Sequence, residues 1–247
     1  MTTAPAPRVE VHQSREDLAT SVAGAFLRVV TVLQAAGEIP QIVLTGGTVA
    51  DEIHREIARL AASDDEIDWS LVDFFWGDER FVAPDSDERN AGLARRDLLD
   101  RVGVDPARVH EMPSTADAAD VEAGATSYAD RVRLAGTGRF QLVMLGVGPD
   151  GHVASLFPGS AQLDVDDAIA VAVTDSPKPP PERVTLTYPA LNRADEVWFV
   201  VSGADKAEAV GRALATPPAD LHEIPAVGVR GQSGTTWFLD HESASRI

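Results

Sequence analysis

Short apolar runs alternate with longer amphipathic stretches along most of this chain, and that alternation constrains its fold more than any other feature. QIVLTGG (Gln41–Gly47), LVDFFWG (Leu71–Gly77), FQLVMLGVG (Phe140–Gly148), AIAVAVT (Ala168–Thr174), EVWFVVSG (Glu196–Gly203) and IPAVGV (Ile224–Val229) predict strands. They are short, mostly apolar and often closed by glycine, as parallel strands buried on both faces are. TTWFLD (Thr235–Asp240) adds a last strand. Helical spacing fills Glu16–Gln34, Val49–Ala61, Arg89–Asp100, Asp117–Leu134 and Ala204–Leu214 between them. In the first of these, Leu18, Val22, Ala25, Phe26, Val29, Val30 and Leu33 share one face. Repeated strand–helix–strand units argue for an α/β fold, a mostly parallel sheet with helices on both faces. No shift in composition marks a boundary, and the Pro-rich SPKPPPER (Ser176–Arg183) is too short to link domains. Residues 1–247 are therefore expected to form a single domain, with a flexible start over residues 1–8.

Charge narrows the choice of partner. The chain carries 39 acidic and 21 basic residues, a net charge of −18. Such a surface repels polyanions, and the sequence contains no basic stripe to reverse that locally, so nucleic acid is not an expected partner. An anionic small molecule would need a few well-placed Arg and Lys residues. Cysteine is absent, which removes thiolate chemistry and disulfides and suits a reducing compartment. MTTAPAPR lacks a basic start followed by an apolar stretch, so no signal peptide is expected. No window is read as the roughly 18 to 20 apolar residues of a membrane span. A cytoplasmic location and no membrane partner follow as expectations.

In open α/β sheets, ligands collect at the carboxyl ends of the strands, and four polar clusters fall there. LTGGTVADEI places Gly46, Gly47 and Thr48 between a strand and a helix, where glycine backbone and a helix N-terminus favour an anion. An ordinary strand-to-helix turn capped by Thr48 explains the same letters. FFWGDERFVAPDSDERN puts Asp78, Glu79 and Arg80 directly after a strand, and Arg80 could clamp a phosphate bidentately. In SPKPPPERVTLTYPALNRA, three consecutive prolines could hold Lys178 and Arg183 in fixed directions, or simply form a stiff surface loop. Lys206, in VSGADKAEAV, opposes the dipole of the helix it begins, which favours a functional reading over a solvated lysine.

The remaining cluster, LVMLGVGPDGHVASLFPG (Leu142–Gly159), contains a literal G-x-G-x-x-G at Gly146, Gly148 and Gly151. A dinucleotide loop leads into a long helix, whereas Pro158 and Gly159 limit any helix here to about two turns. Asp164 to Asp167 have the spacing of a ribose-binding acid but do not end a second strand. The glycines are better read as a catalytic loop. Histidine is the commonest general base, and at His152 the carboxylate of Asp150, two residues away, can fix the tautomer and stabilise the charged form. Backbone N–H groups of Gly148 and Gly151 are expected to serve an oxyanion. His12, His54, His110, His222 and His241 lie outside such a glycine loop and read as surface or packing residues.

Together, WGDERFVAPDSDERN, LGVGPDGHVASLFPG, SPKPPPERVTLTYPALNRA and VSGADKAEAV resemble the signature stretches of the 6-phosphogluconolactonase family, from about residue 10 to 240 and in the same order. Two departures concern detail: LTGGTVA lacks the usual serine-threonine-proline run, and Pro149 stands where an acid is commoner. The resemblance implies a Rossmann-like fold shared with glucosamine-6-phosphate deaminases. It implies hydrolysis of 6-phospho-D-glucono-1,5-lactone to 6-phosphogluconate in the oxidative pentose phosphate pathway, with no metal and no organic cofactor. It assigns His152 as base, Asp150 as its partner, and Gly46, Gly47, Thr48, Arg80, Lys206 and, more weakly, Arg183 to substrate and phosphate. The expected partner is a small sugar phosphate, bound by a monomer or small homo-oligomer. No G-x-S-x-G elbow is present, in keeping with water as the nucleophile.

Three rivals make different demands. An amino-sugar phosphate isomerase/deaminase also uses a DGH-type loop but follows it with a stretch unlike SLFPG. An NAD-dependent dehydrogenase rests on glycine spacing alone. A non-catalytic sugar-phosphate sensor needs the anion ligands but has no use for Asp150 beside His152.

Overall fold

The structure is a computed structural model, and it describes residues 6–63 and 66–247. In chain order the strands are β1 (Arg8–His12), β2 (Gln41–Leu44), β3 (Asp73–Trp76), β4 (Asp78–Arg80), β5 (Leu142–Leu145), β6 (Ala170–Val173), β7 (Arg183–Leu186), β8 (Glu196–Val201) and β9 (Gly234–Asp240). The α-helices are α1 (Arg15–Ala35), α2 (Thr48–Ala61), α3 (Asn90–Ala94), α4 (Asp100–Val102), α5 (Val121–Ala135), α6 (Tyr188–Leu191) and α7 (Ala207–Leu214). Six strands form one parallel sheet in the order β1-β9-β8-β5-β2-β3. Strands β4, β7 and β6 form a small antiparallel sheet beside it. The α/β class read from the sequence is borne out, and the separate antiparallel sheet refines it.

Winding direction explains where a ligand must go. The crossovers β1 to β2 and β2 to β3 step one way across the sheet, whereas β3 to β5, β5 to β8 and β8 to β9 step back. Right-handed crossovers therefore put α1 and α2 on one face, and α5, α6 and α7 on the other. Neighbouring strands β2 and β5 send their chains to opposite faces, which opens a crevice at their carboxyl ends. Their registers match Ile42 with Leu142 and Val43 with Val143, so Gly46 and Gly146 emerge side by side. All four residues of β2, β3 and β5 are buried, as expected for strands covered on both faces.

Several expectations change. Ile224–Val229 is not a strand: Pro225–Gly228 is a 3₁₀ turn, begun by a proline at its first position and closed by Val227 N–H donating to Ile224 O. No helix follows Gly151; Val153 bridges Leu156 in a tight turn instead. Arg89–Asp100 is helical but interrupted by a π segment over Arg95–Leu99. The helix expected from Asp117 starts at Val121, where the Asp120 side chain caps Ala123 N–H at 2.8 Å. Three strands escaped the reading: β1 has a solvated face and alternates, β4 is three charged residues long, and β7 hides behind the prolines. The expected flexible stretch falls partly outside the described residues, and Arg8 already pairs with Thr236 in β1.

Helix α1 also corrects the membrane reading. By length and composition it is apolar enough to cross a bilayer. Here it is a core helix: Leu18, Val22, Phe26 and Val30 are completely buried, and its outer face carries Arg28 and the Glu16–Asp17 pair.

Candidate active site

The crevice is lined first by glycine. Thr45 ends the run that follows β2, and its Oγ1 accepts the Gly146 N–H at 3.3 Å, tying the two loops together. Gly47 (φ +102°) starts α2 without any side-chain cap, so the first-turn N–H groups of α2 stay open toward an anion. Gly46 lies against the Asn90 amide so closely that a Cβ would sit 1.9 Å from Asn90 Oδ1. Only glycine fits there.

Strand β3 passes through Gly77 into β4, carrying Asp78, Glu79 and Arg80 over the edge of the parallel sheet. Gly77 N–H donates to Leu44 O, and its carbonyl accepts from Leu186, so the crossing point belongs to both sheets. Glu79 is buried and braces the start of α3, accepting from the N–H groups of Arg80 (2.9 Å), Asn90 (2.8 Å) and Ala91 (2.8 Å). Burial pushes its carboxyl up, against the pull of Arg89 and of those donors. Asn90 then holds Arg80: its Oδ1 accepts from Arg80 Nη1 while its Nδ2 donates to Asp78 O at 3.1 Å. Arg80 Nη1 also donates to Glu88 O at 3.0 Å. Asn90, quoted within the DERN motif, was not assigned a role from the sequence.

Across the crevice, His152 Nδ1 and Asp150 Oδ1 are 2.5 Å apart. That contact points Nδ1–H at the ionised carboxylate, which accepts it, and leaves Nε2 without a partner among the described residues. Burial opposes the Asp150 charge, but the hydrogen bond and charge of His152, with Lys178 behind, hold its carboxyl at about 2. It stays ionised throughout the neutral range. The ring rests against Phe157, centroid to centroid 4.7 Å. Ala154 sits at φ +49°, unusual for a residue with a Cβ, and turns the chain back into the site.

Gly148 and Gly151 do not serve an oxyanion as expected. Gly148 N–H donates to His152 O and Gly151 N–H to Gly148 O, both at 2.9 Å, so the loop spends them on its own shape. What Gly148 supplies is room, because a Cβ there would fall 1.9 Å from His152 Nδ1.

The remaining basic residues close the ring. Arg183 is buried; it donates Nε to Pro180 O (3.2 Å) and Nη2 to Lys178 O (3.0 Å) and Pro179 O (3.2 Å). It spends these donors on the proline loop while still reaching the cleft wall. Lys178 Nζ arrives 3.3 Å from His152 Nδ1, a juxtaposition invisible at 26 residues' separation in sequence. Lys206 lines the same cleft and pairs with Asp205 at 2.6 Å. Thr48, exposed, faces a neighbouring lobe rather than His152.

The cleft holding His152, Asp78, Arg80, Asn90, Lys178, Arg183 and Lys206 encloses about 320 Å³. An adjoining lobe of about 670 Å³ shares Gly46, Gly47, Gly146 and Lys206 but is walled by Asp205, Asp240 and Glu242. A dianion would be repelled by those carboxylates and favoured among the four cations. Guanidinium, ammonium and backbone N–H groups suit an oxyanion, and beside them stands one imidazole free to take a proton.

Comparison with known proteins identifies the family. The family model described as glucosamine-6-phosphate isomerases/6-phosphogluconolactonase matches residues 13–238. The chain is 40% identical to the 6-phosphogluconolactonase of Streptomyces coelicolor, over 98% of this chain and 95% of that one. It is 42% identical to the 6-phosphogluconolactonase of Mycobacterium leprae, over 94% and 96%. The crystal structure of 6-phosphogluconolactonase from Thermotoga maritima superposes with a TM-score of 0.82 at 27% identity, covering 95% of this chain and 99% of that one. A monomeric glucosamine-6-phosphate deaminase shares the fold alone, with a TM-score of 0.81 at 20% identity over 97% of this chain and all of the other. The resemblance read from four sequence clusters is thereby borne out: this chain belongs to the family of glucosamine-6-phosphate isomerases and 6-phosphogluconolactonases.

Proposed function

We propose that this chain hydrolyses 6-phospho-D-glucono-1,5-lactone to 6-phosphogluconate, the second step of the oxidative pentose phosphate pathway, with His152 as general base. The observation that carries this is the 2.5 Å contact of His152 with Asp150, beside a cleft ringed by Arg80, Lys178, Arg183 and Lys206. A phosphate supplies the charge those cations answer, and a lactone carbonyl is electrophilic enough for water. Arg80, steadied by Asn90, and Lys206 take the phosphate with the Gly46–Gly47 turn. Thr48 contributes its backbone at the start of α2 rather than its side chain.

The chemistry needs one proton carrier. A water hydrogen-bonded to His152 Nε2 attacks C1; its proton passes to Nε2, and the carbonyl π electrons move onto the exocyclic oxygen. When that oxygen re-forms the carbonyl, the C1–ring oxygen bond breaks and the ring oxygen takes the proton from the imidazolium. One water is consumed, and the carboxylic acid product ionises. Asp150 stays charged throughout and offsets the transient positive imidazole.

Freshly prepared lactone tests the proposal, with acid release followed against the spontaneous rate. The parent chain is expected to accelerate release, and His152→Ala to lose about 10²–10⁴-fold in kcat with an unchanged circular dichroism spectrum. Near-parental turnover in His152→Ala would remove the imidazole as base. Ammonia release from glucosamine 6-phosphate, without lactone hydrolysis, would transfer the chain to the deaminase reading.

A further inference from the structure

We propose that the Lys178 ammonium stabilises the oxygen anion formed when water adds to the lactone carbonyl, which makes Lys178 a catalytic residue and Arg183 the residue that positions it. The inference rests on the reading of His152 as the base.

Lys178 has donors and no matching acceptor. Its Nζ lies 3.3 Å from His152 Nδ1, but that nitrogen's proton is already committed to Asp150 Oδ1 at 2.5 Å. Two donors face each other, so this contact satisfies neither. Asp150 Oδ1 itself is 3.9 Å from Nζ, close enough for charge attraction and too far for a hydrogen bond. A half-buried ammonium held beside the base therefore keeps N–H groups for a ligand. Burial lowers the Lys178 pKa, and Lys206 and Arg183 add to that against the pull of Asp150. An ammonium with a depressed pKa donates more strongly to an alkoxide.

Several neighbouring donors are occupied. Gly148 and Gly151 N–H groups close their own loop, and Arg80 Nη1 is engaged with Glu88 O and Asn90 Oδ1. Lys178, by contrast, is held without being satisfied. Its carbonyl accepts from Ser176 Oγ at 2.9 Å and from Arg183 Nη2 at 3.0 Å, and its N–H donates to Ser176 Oγ at 3.2 Å. Arg183 is fixed in turn by Asp78, 4.0 Å away, whose other contact is Ser155 Oγ at 2.6 Å. Phe157 lies under both the Arg183 guanidinium (5.8 Å) and the His152 ring (4.7 Å), so the base and the guanidinium that holds the Lys178 backbone share one floor. This is preorganisation: the backbone is locked while the charged end stays free.

Steady-state kinetics on the full chain test the idea. Lys178→Met and Lys178→Ala are expected to lose about 10²–10³-fold in kcat, the cost of one oxyanion donor, with KM moving by less than about threefold. Lys178→Arg should retain part of the rate, and methylammonium in solution should restore part of it to Lys178→Ala. Arg183→Gln should lower kcat and add little further loss in the double variant with Lys178→Met, the non-additivity expected of a residue acting through another. Parental kcat in Lys178→Met, or a loss confined to KM, would overturn the proposal, as would a Lys178→Ala rate that no added amine restores. The two readings fail separately. An active His152→Ala removes the base, whereas an inactive His152→Ala beside a fully active Lys178→Met removes only the ammonium.

Discussion

Gly148→Ala isolates the geometry of the catalytic pair without removing either member. The new Cβ would lie 1.9 Å from His152 Nδ1, 2.0 Å from Cε1 and 2.4 Å from Asp150 Oδ1. Ordinary contact lies near 3.5 Å, so the ring must recede by about 1.5 Å. The 2.5 Å hydrogen bond to Asp150 cannot survive that movement. A misplacement of about 1 Å already costs on the order of 10² in rate, and loss of oriented base catalysis up to about 10⁴, so kcat is expected to fall by about 10²–10⁴-fold. Stability should change less. Overpacking costs about 1–3 kcal/mol, while replacing glycine by alanine returns about 0.4–1 kcal/mol through the unfolded chain. At this chain length the difference, up to about 2.6 kcal/mol, corresponds to a melting shift of at most about 10 °C, at about 2–4 °C per kcal/mol. The assay is acid release from the fresh lactone alongside a thermal melt. A variant that melts with the parent and keeps kcat within about threefold would refute the claim that this pairing sets the rate.

Three further outcomes follow from the same structure. Asn90→Ala leaves Arg80 without its amide support and should raise KM about tenfold, equivalent to one charge-assisted hydrogen bond of about 1.5 kcal/mol, with kcat less affected; an unchanged KM in initial-rate measurements would separate Asn90 from substrate capture. Tyr128 donates its hydroxyl to Trp76 O and accepts Trp76 N–H, both at 2.9 Å and fully buried, so Tyr128→Phe should cost about 1–3 kcal/mol in urea unfolding, and a neutral result would contradict the pinning of α5 to β3. His54 is buried with both ring nitrogens unpartnered, and burial lowers its pKa to about 4, with Asp97 opposing and Arg55 assisting. The unfolded chain protonates this residue first, so its stabilisation is complete above about pH 6.5 and declines by about 3 kcal/mol as pH falls toward 4. Other carboxylates titrate in the same range, so the comparison is with His54→Leu, whose pH–stability curve should be flatter by that amount; parallel curves would deny His54 the effect.

The pairing of Asp150 with His152 was legible because it is local. Asp150 and His152 stand two residues apart on a loop whose glycines leave room for them, so the letters alone bring them together. Strands β2, β3, β5, β8 and β9 were legible for a similar reason: each is mostly buried and contains a short apolar run. The same loop shows where local reading stopped. Its glycine N–H groups look free on paper, yet the folded loop closes them on His152 O and Gly148 O.

Sequence alone thus determined five of the six strands of the parallel sheet, β1 excepted, and that an imidazole with a carboxylate partner sits at its carboxyl edge, because periodicity and short spacing are properties of neighbouring residues. Tertiary structure decided the order of the strands, the crevice between β2 and β5, the second sheet that carries Arg80 and Arg183, and the approach of Lys178 to His152. Those depend on crossover direction and on hydrogen bonds between residues many positions apart, such as Trp76 to Tyr128 and Ser155 to Asp78. Only the folded chain can make such contacts, because they exist when distant segments pack against one another and at no earlier stage.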